Sequence, residues 1–169
     1  IWNITNRCNL LCDHCYMAAD GHAKPEQLSD DEAMAIVNQM VEAGLPALFL
    51  SGGEPMMRSN FWDILEAARA GGIHVVVSTN ATMIDRDVAK RLKGLGIDWI
   101  ATSLYGPPEF HDQMVGVPGT HDKVVEAIKV LREEGVGVAL KSAVSKETFP
   151  YLPYILGKAQ ELDCGLDYL

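Results

Sequence analysis

Aromatic side chains make up only 7% of the 169 residues, and no apolar run approaches the ~18 residues of a membrane helix. A helical membrane span is therefore excluded, and no signal or transit peptide is visible. Basic residues are also scarce, with 14 Lys and Arg against 23 Asp and Glu and a net charge of −9. They are scattered rather than clustered, which argues against a nucleic-acid partner, since phosphate binding wants a basic face. Cysteines number four, three of them crowded between positions 8 and 15, too close for a disulfide framework in a chain this long. Such crowding points to a metal or cluster site in a reducing compartment, and the expected location is the cytoplasm. Low-complexity segments, charge blocks and short repeats are missing. What remains is an ordinary globular composition, 48% apolar and 22% charged, with the length of one domain over residues 1–169. The first residue is Ile1, and the chain ends at Leu169 inside an apolar run. The expectation is a fragment of a longer protein.

Apolar β-branched runs alternate with amphipathic segments, the sequence form of repeated βα units around a parallel sheet. The predicted strands are Ile1–Thr5, Ala47–Ser51, Ile73–Ser78, Ile97–Ser103, Val136–Val144 and Gly165–Leu169. Five helices are predicted. The first opens on the capping box Ser29-Asp30-Asp31-Glu32, turns Ala33, Ile36, Val37, Met40 and Val41 to one face and stops at Gly44. The others lie at Asn60–Ala70, Asp85–Leu95, Asp122–Glu134 and Tyr151–Leu162. Right-handed crossovers curl such units into an open barrel or a doubly wound sheet. Function then sits at the C-terminal ends of the strands. The longest irregular stretches are Asn6–Leu28 and Tyr105–His121, and long loops in compact domains are usually functional.

Directly after the first strand comes Arg7-Cys8-Asn9-Leu10-Leu11-Cys12-Asp13-His14-Cys15-Tyr16, a C-x3-C-x2-C spacing. Three thiolates on a cubane of four irons leave one iron open to a small molecule. Structural zinc is the alternative, but it prefers four protein ligands, so His14 or His22 would have to complete the set. After the second strand stands Gly52-Gly53-Glu54-Pro55, where two glycines permit close backbone approach and Glu54 offers a carboxylate to a cationic ammonium. The third and fourth strands end in Ser78-Thr79-Asn80 and Thr102-Ser103-Leu104-Tyr105. On the fifth, alternation groups Lys141 with Ala139 and Ala143, a face where the lysine would meet an anion.

The cysteine loop and the Gly-Gly-Glu-Pro turn together resemble the radical SAM superfamily, and the likeness runs the whole chain. The resemblance implies a partial (β/α)6 TIM-like barrel, an α/β fold truncated after its sixth strand. It implies that Cys8, Cys12 and Cys15 hold a [4Fe–4S] cluster whose fourth iron is chelated by the amine and carboxylate of S-adenosylmethionine. By the same likeness Gly52, Gly53 and Glu54 hold the amine, and His14 lies near the adenine. Ser78, Asn80 and Ser103 serve the ribose and the methionine carboxylate, and Lys141 pairs with that carboxylate or with a substrate acid. The implied chemistry is reductive cleavage to a 5′-deoxyadenosyl radical that takes hydrogen from a small-molecule or peptide substrate. A low-potential donor such as ferredoxin or flavodoxin supplies the electron. Trp2-Asn3-Ile4-Thr5-Asn6-Arg7-Cys8 and Leu50 to Arg58 are similar to haem-pathway enzymes of the branch that carries SPASM or twitch extensions. Ser103 to Gly106, His111-Asp112 and Gly116 to Thr120 look more like SPASM maturases of ribosomal peptides. Tyr105 stands where many relatives carry aspartate, so the substrate, a tetrapyrrole or a peptide, stays open.

Overall fold

The computed structural model describes residues 1–168. Six strands form one all-parallel sheet in sequential order: β1 (Trp2–Asn3), β2 (Ala47–Ser51), β3 (His74–Thr79), β4 (Trp99–Ser103), β5 (Gly137–Ser142) and β6 (Gly165–Tyr168). Six helices connect them: α1 (Asp30–Glu42), α2 (Phe61–Ala70), α3 (Arg86–Gly94), α4 (Pro108–Val115), α5 (Thr120–Glu133) and α6 (Leu152–Glu161). Each strand pairs only with its sequence neighbours, so the units wind in one direction and the sheet is a partial TIM-like barrel rather than a doubly wound one. The final residue of the last predicted strand, Leu169, lies outside the described residues.

Strand alternation separates two faces. Leu48 and Leu50, Val75 and Val77, and Val138 and Leu140 are buried against Val37, Ile64, Leu65, Leu92, Ile128 and Leu131 of the helices. Helix α2 buries Phe61, Ile64, Leu65 and Ala68 along one side, each large side chain contributing about 1.5–3 kcal/mol. The opposite sheet face carries Ser51, Ser78, Ser103 and Lys141 and is the inner surface of the barrel. The capping box forms as expected: Ser29 Oγ accepts from Glu32 N at 3.2 Å, and Glu32 Oε2 accepts from Ser29 N at 2.8 Å.

Three expectations are corrected. Strand β1 is two residues long rather than five. Ile4 N still donates to Ser51 O at 2.9 Å, but Thr5 Oγ1 then accepts from Arg7 N and donates to Gln27, which turns the chain out of the sheet. Strand β5 stops at Ser142, and Val144 lies exposed beyond its end. Helix α4 falls within the stretch read as irregular. The Pro107-Pro108 pair resembles a loop signal, yet proline at the first helical position fits a helix start, and Gly116 ends the helix at φ 72°.

Candidate functional site

The segment 5–28 between β1 and α1 has no helix or strand of its own and is held by its neighbours. Cys8 N donates to Asp20 O at 2.6 Å, closing the loop on itself. Leu11 N and Asp13 N donate to Val115 O and Met114 O at 3.0 and 3.2 Å, so the unanticipated α4 is the shelf on which the cysteine loop rests. The four cysteines are free thiols. Backbone N–H groups already point at two of the sulfurs, Leu10 N at Cys8 Sγ and Ala19 N at Cys15 Sγ, each at 3.4 Å. Burial pushes the Cys8 thiol up, and burial with the neighbouring cysteines takes Cys12 to about 11. Such thiols become ligands only where a cation compensates the thiolate charge.

The Gly-Gly-Glu-Pro turn packs against this loop rather than standing apart from it. Gly53 N donates to Thr5 O at 2.9 Å, and Glu54 N donates to Arg7 O at 2.7 Å. A Cβ at Gly52 would sit 2.3 Å from Thr5 O, and one at Gly53 would sit 2.3 Å from Arg7 O. Gly52 also has φ 145°, which side chains avoid. The glycines are thus required first by the close approach of two backbone segments.

Glu54 is fully buried. Its carboxylate accepts from Thr79 Oγ1 at 2.8 Å on both oxygens, from Asn80 N at 2.8 Å and from Met56 N at 3.1 Å. Burial pushes its pKa up, opposed by the bonds from Asn80, Met56 and Thr79. The carboxylate therefore joins the ends of β2 and β3 and does not face the cavity.

A cavity of about 450 Å³ opens at the C-terminal ends of the strands. Cys8, Cys12, Cys15 and His14 line one side of it, and Gly52, Gly53, Ser78 and Asn80 line the second. Ser103 and Lys141 complete the wall. Every predicted site residue except Glu54 therefore reaches one cavity. The His14 ring lies edge-on to Tyr105, centroids 4.5 Å apart, and burial lowers its pKa. Among the described residues Lys141 is the one Lys or Arg in the wall.

Sequence reasoning missed three contributors. Tyr105, with its hydroxyl pushed up to about 12 by burial, and His111, 1% exposed, both line the cavity. Tyr105 N donates to His111 Nδ1 at 3.3 Å. The buried Arg58 anchors the cysteine loop from below. An arginine three residues after a turn motif carried a weak signal for Arg58, and His111 could have been found only by recognising α4.

Among the described residues no group of three or more His, Cys, Asp or Glu side chains converges as a single metal ion requires. A cubane takes one thiolate per iron and needs no such convergence. Three cysteines on one loop, two with N–H···S donors in place and all facing one cavity, fit that group.

Residues 2–146 match the model of the radical SAM superfamily. The chain belongs to that superfamily. Its cofactors are those of the family, S-adenosylmethionine and a [4Fe–4S] cluster. This radical SAM chain is 36% identical over 161 residues to the Fe-coproporphyrin III synthase of Methanosarcina barkeri (strain Fusaro / DSM 804), covering 95% of this chain and 40% of that protein. It is 26% identical over 163 residues to the PqqA peptide cyclase of Gluconobacter oxydans (strain 621H), covering 96% and 46%. The fold matches Streptococcus suis SuiB bound to S-adenosylmethionine at a TM-score of 0.83 and 17% identity, covering 98% of this chain and 39% of that one. The chain thus spans less than half the length of these relatives. Among the described residues no helix is long and apolar enough to cross a membrane.

Proposed function

We propose that this chain cleaves S-adenosylmethionine reductively and directs the resulting radical at a tetrapyrrole. The observation that carries the cofactor part is the common cavity, onto which three thiols, the Gly52-Gly53 backbone and the polar strand ends open. When bound through Cys8, Cys12 and Cys15, the cluster supplies the electron that splits the sulfonium into methionine and a 5′-deoxyadenosyl radical.

The chain's own residues bind and orient. Gly52 and Gly53 present backbone to the methionine amine, in a turn that Glu54 holds rigid through Thr79 and Asn80. Ser103 and Lys141 meet the carboxylate, the lysine as a point charge. Ser78 and Asn80 serve the ribose, and His14 serves the adenine. The tetrapyrrole rests on the likeness to the Fe-coproporphyrin III synthase across 95% of the chain. The second reading, a ribosomally made peptide, rests on the weaker likeness to the PqqA peptide cyclase. The electron comes from ferredoxin or flavodoxin, in the cytoplasm, and the auxiliary clusters of a SPASM or twitch extension belong to the longer protein.

The test is anaerobic reconstitution with iron and sulfide. The reduced protein is expected to show an electron paramagnetic resonance signal that changes on adding S-adenosylmethionine, and alanine at Cys8, Cys12 or Cys15 abolishes it. Full iron loading in the triple variant sinks the assignment. For the substrate, 5′-deoxyadenosine release by the full-length protein is compared with an iron coproporphyrin and with precursor peptides; stimulation by peptides alone selects the second reading.

A further inference from the structure

Asn80 follows the last residue of β3, and each polar atom of its side chain and its backbone N–H is engaged. Its backbone N donates to Glu54 Oε2 at 2.8 Å. Its Oδ1 accepts from Thr82 N at 3.0 Å and from Thr82 Oγ1 at 2.7 Å. Those donors fix which end of the carboxamide is oxygen, because a flipped amide would turn its NH2 toward the Thr82 N–H. The Nδ2 end is therefore the one that faces the cysteine loop. It donates to Asn9 Oδ1 at 2.8 Å and to Cys8 Sγ at 3.8 Å.

We propose that Asn80 raises the reduction potential of the cluster bound through Cys8, by donating a hydrogen bond from its carboxamide to the Cys8 sulfur. Hydrogen bonds to cluster sulfurs withdraw electron density from the irons and favour the reduced state, and they are among the main settings of cluster potentials. Among the described residues the Cys8 sulfur receives two donors, Leu10 N at 3.4 Å and Asn80 Nδ2. Only the second comes from a side chain, and so from something a substitution can remove. Cys8 is 8% exposed, so little water is present to replace the lost donor. The buried Glu54 and the half-buried Thr82 orient Asn80 through these bonds, which makes Glu54 a positioning residue for the cluster environment. A residue that only bound the ribose would need neither the bond to Cys8 nor this bracing.

The inference rests on Cys8 being a cluster ligand. The test is redox titration of the anaerobically reconstituted protein without S-adenosylmethionine, comparing wild type with Asn80→Ser. Serine keeps a short acceptor for the Thr82 N–H but cannot reach Cys8. The expected result is full iron loading with a more negative midpoint potential. Thr82→Val, which loosens the carboxamide without deleting it, should shift the potential the same way by less, and it serves if Asn80→Ser loads poorly. Unchanged potentials in both loaded variants, even with weakened S-adenosylmethionine binding, overturn the proposal and leave Asn80 a cofactor ligand only. Failure of the wild type to load a cluster would instead overturn the reading of the cysteine loop.

Discussion

The Arg58 guanidinium donates from Nη1 to the Ile4 carbonyl at 2.6 Å, joining residues 54 apart in sequence. Nη2 donates to Leu28 O at 3.0 Å and to Ser29 O at 2.9 Å, and Nε donates to Asn60 Oδ1 at 2.6 Å. Ile4 and Leu28 bracket the cysteine loop, so one buried guanidinium closes its neck. The ion pair with Asp30, at 3.3 Å and half exposed on the acidic side, adds little by comparison. Arg58→Met strands several buried carbonyls and should lower stability by about 2–4 kcal/mol in urea denaturation. Trypsin should also cut after Arg7, inside the loop and followed by Cys8, faster than in a core variant of equal stability. Equal cutting would show that the clamp acts on the fold as a whole.

A contrast between two glycines tests the role of the Gly-Gly turn. At Gly53 an added Cβ would meet Arg7 O at 2.3 Å, whereas at Gly157, inside α6, nothing lies within 4 Å. Gly53→Ala should therefore cost at least about 1–3 kcal/mol, the range for forced overpacking, and should lower iron loading because the cysteine loop is pushed off its support. Gly157→Ala should stabilise by about 0.5–1 kcal/mol through helix propensity alone. Denaturation midpoints and iron content of both variants check this; normal iron loading by Gly53→Ala would mean that the loop docks by other contacts.

The strands themselves, the cysteine spacing and the Gly-Gly turn were legible because they are local: a two-residue period, a ligand spacing and a glycine pair each read within about ten positions. The order of the strands is a long-range property, and the pattern left it between an open barrel and a doubly wound sheet. Lys141 was placed on the inner face by alternation alone, and its neighbours Val138, Leu140 and Ser142 are indeed buried on the other side. Glu54 shows the limit. Its residue type predicted a carboxylate for the cofactor, but its partners Thr79 and Asn80 lie 25 and 26 residues away, a pairing that β2 beside β3 creates. Arg58 and Ile4 are related in the same way. Helix α4 was hidden because eight residues carry too little periodicity to outweigh two prolines.

His111 gives the chain a pH dependence whose sign can be worked out. Burial, with His121 opposing a second positive charge nearby, lowers its pKa from 6.5 to about 4. The geometry agrees: Nδ1 is taken by the Tyr105 N–H, so the ring has its proton on Nε2, which has no partner among the described residues. Protonating Nδ1 would set two donors against each other. Between pH 6.5 and about 4 the unfolded chain therefore binds a proton that the folded chain does not, and stability falls as the pH falls through that window. The gap is worth about 3 kcal/mol at most. Carboxylates titrate in the same range, so the informative quantity is the difference from His111→Asn, whose Oδ1 can accept from Tyr105 N without titrating. Urea denaturation at steps between pH 7 and 4 should show the wild type losing about 2–3 kcal/mol more than the variant. Parallel curves would mean that His111 takes up its proton in the folded state, and that the Tyr105 loop rearranges to allow it.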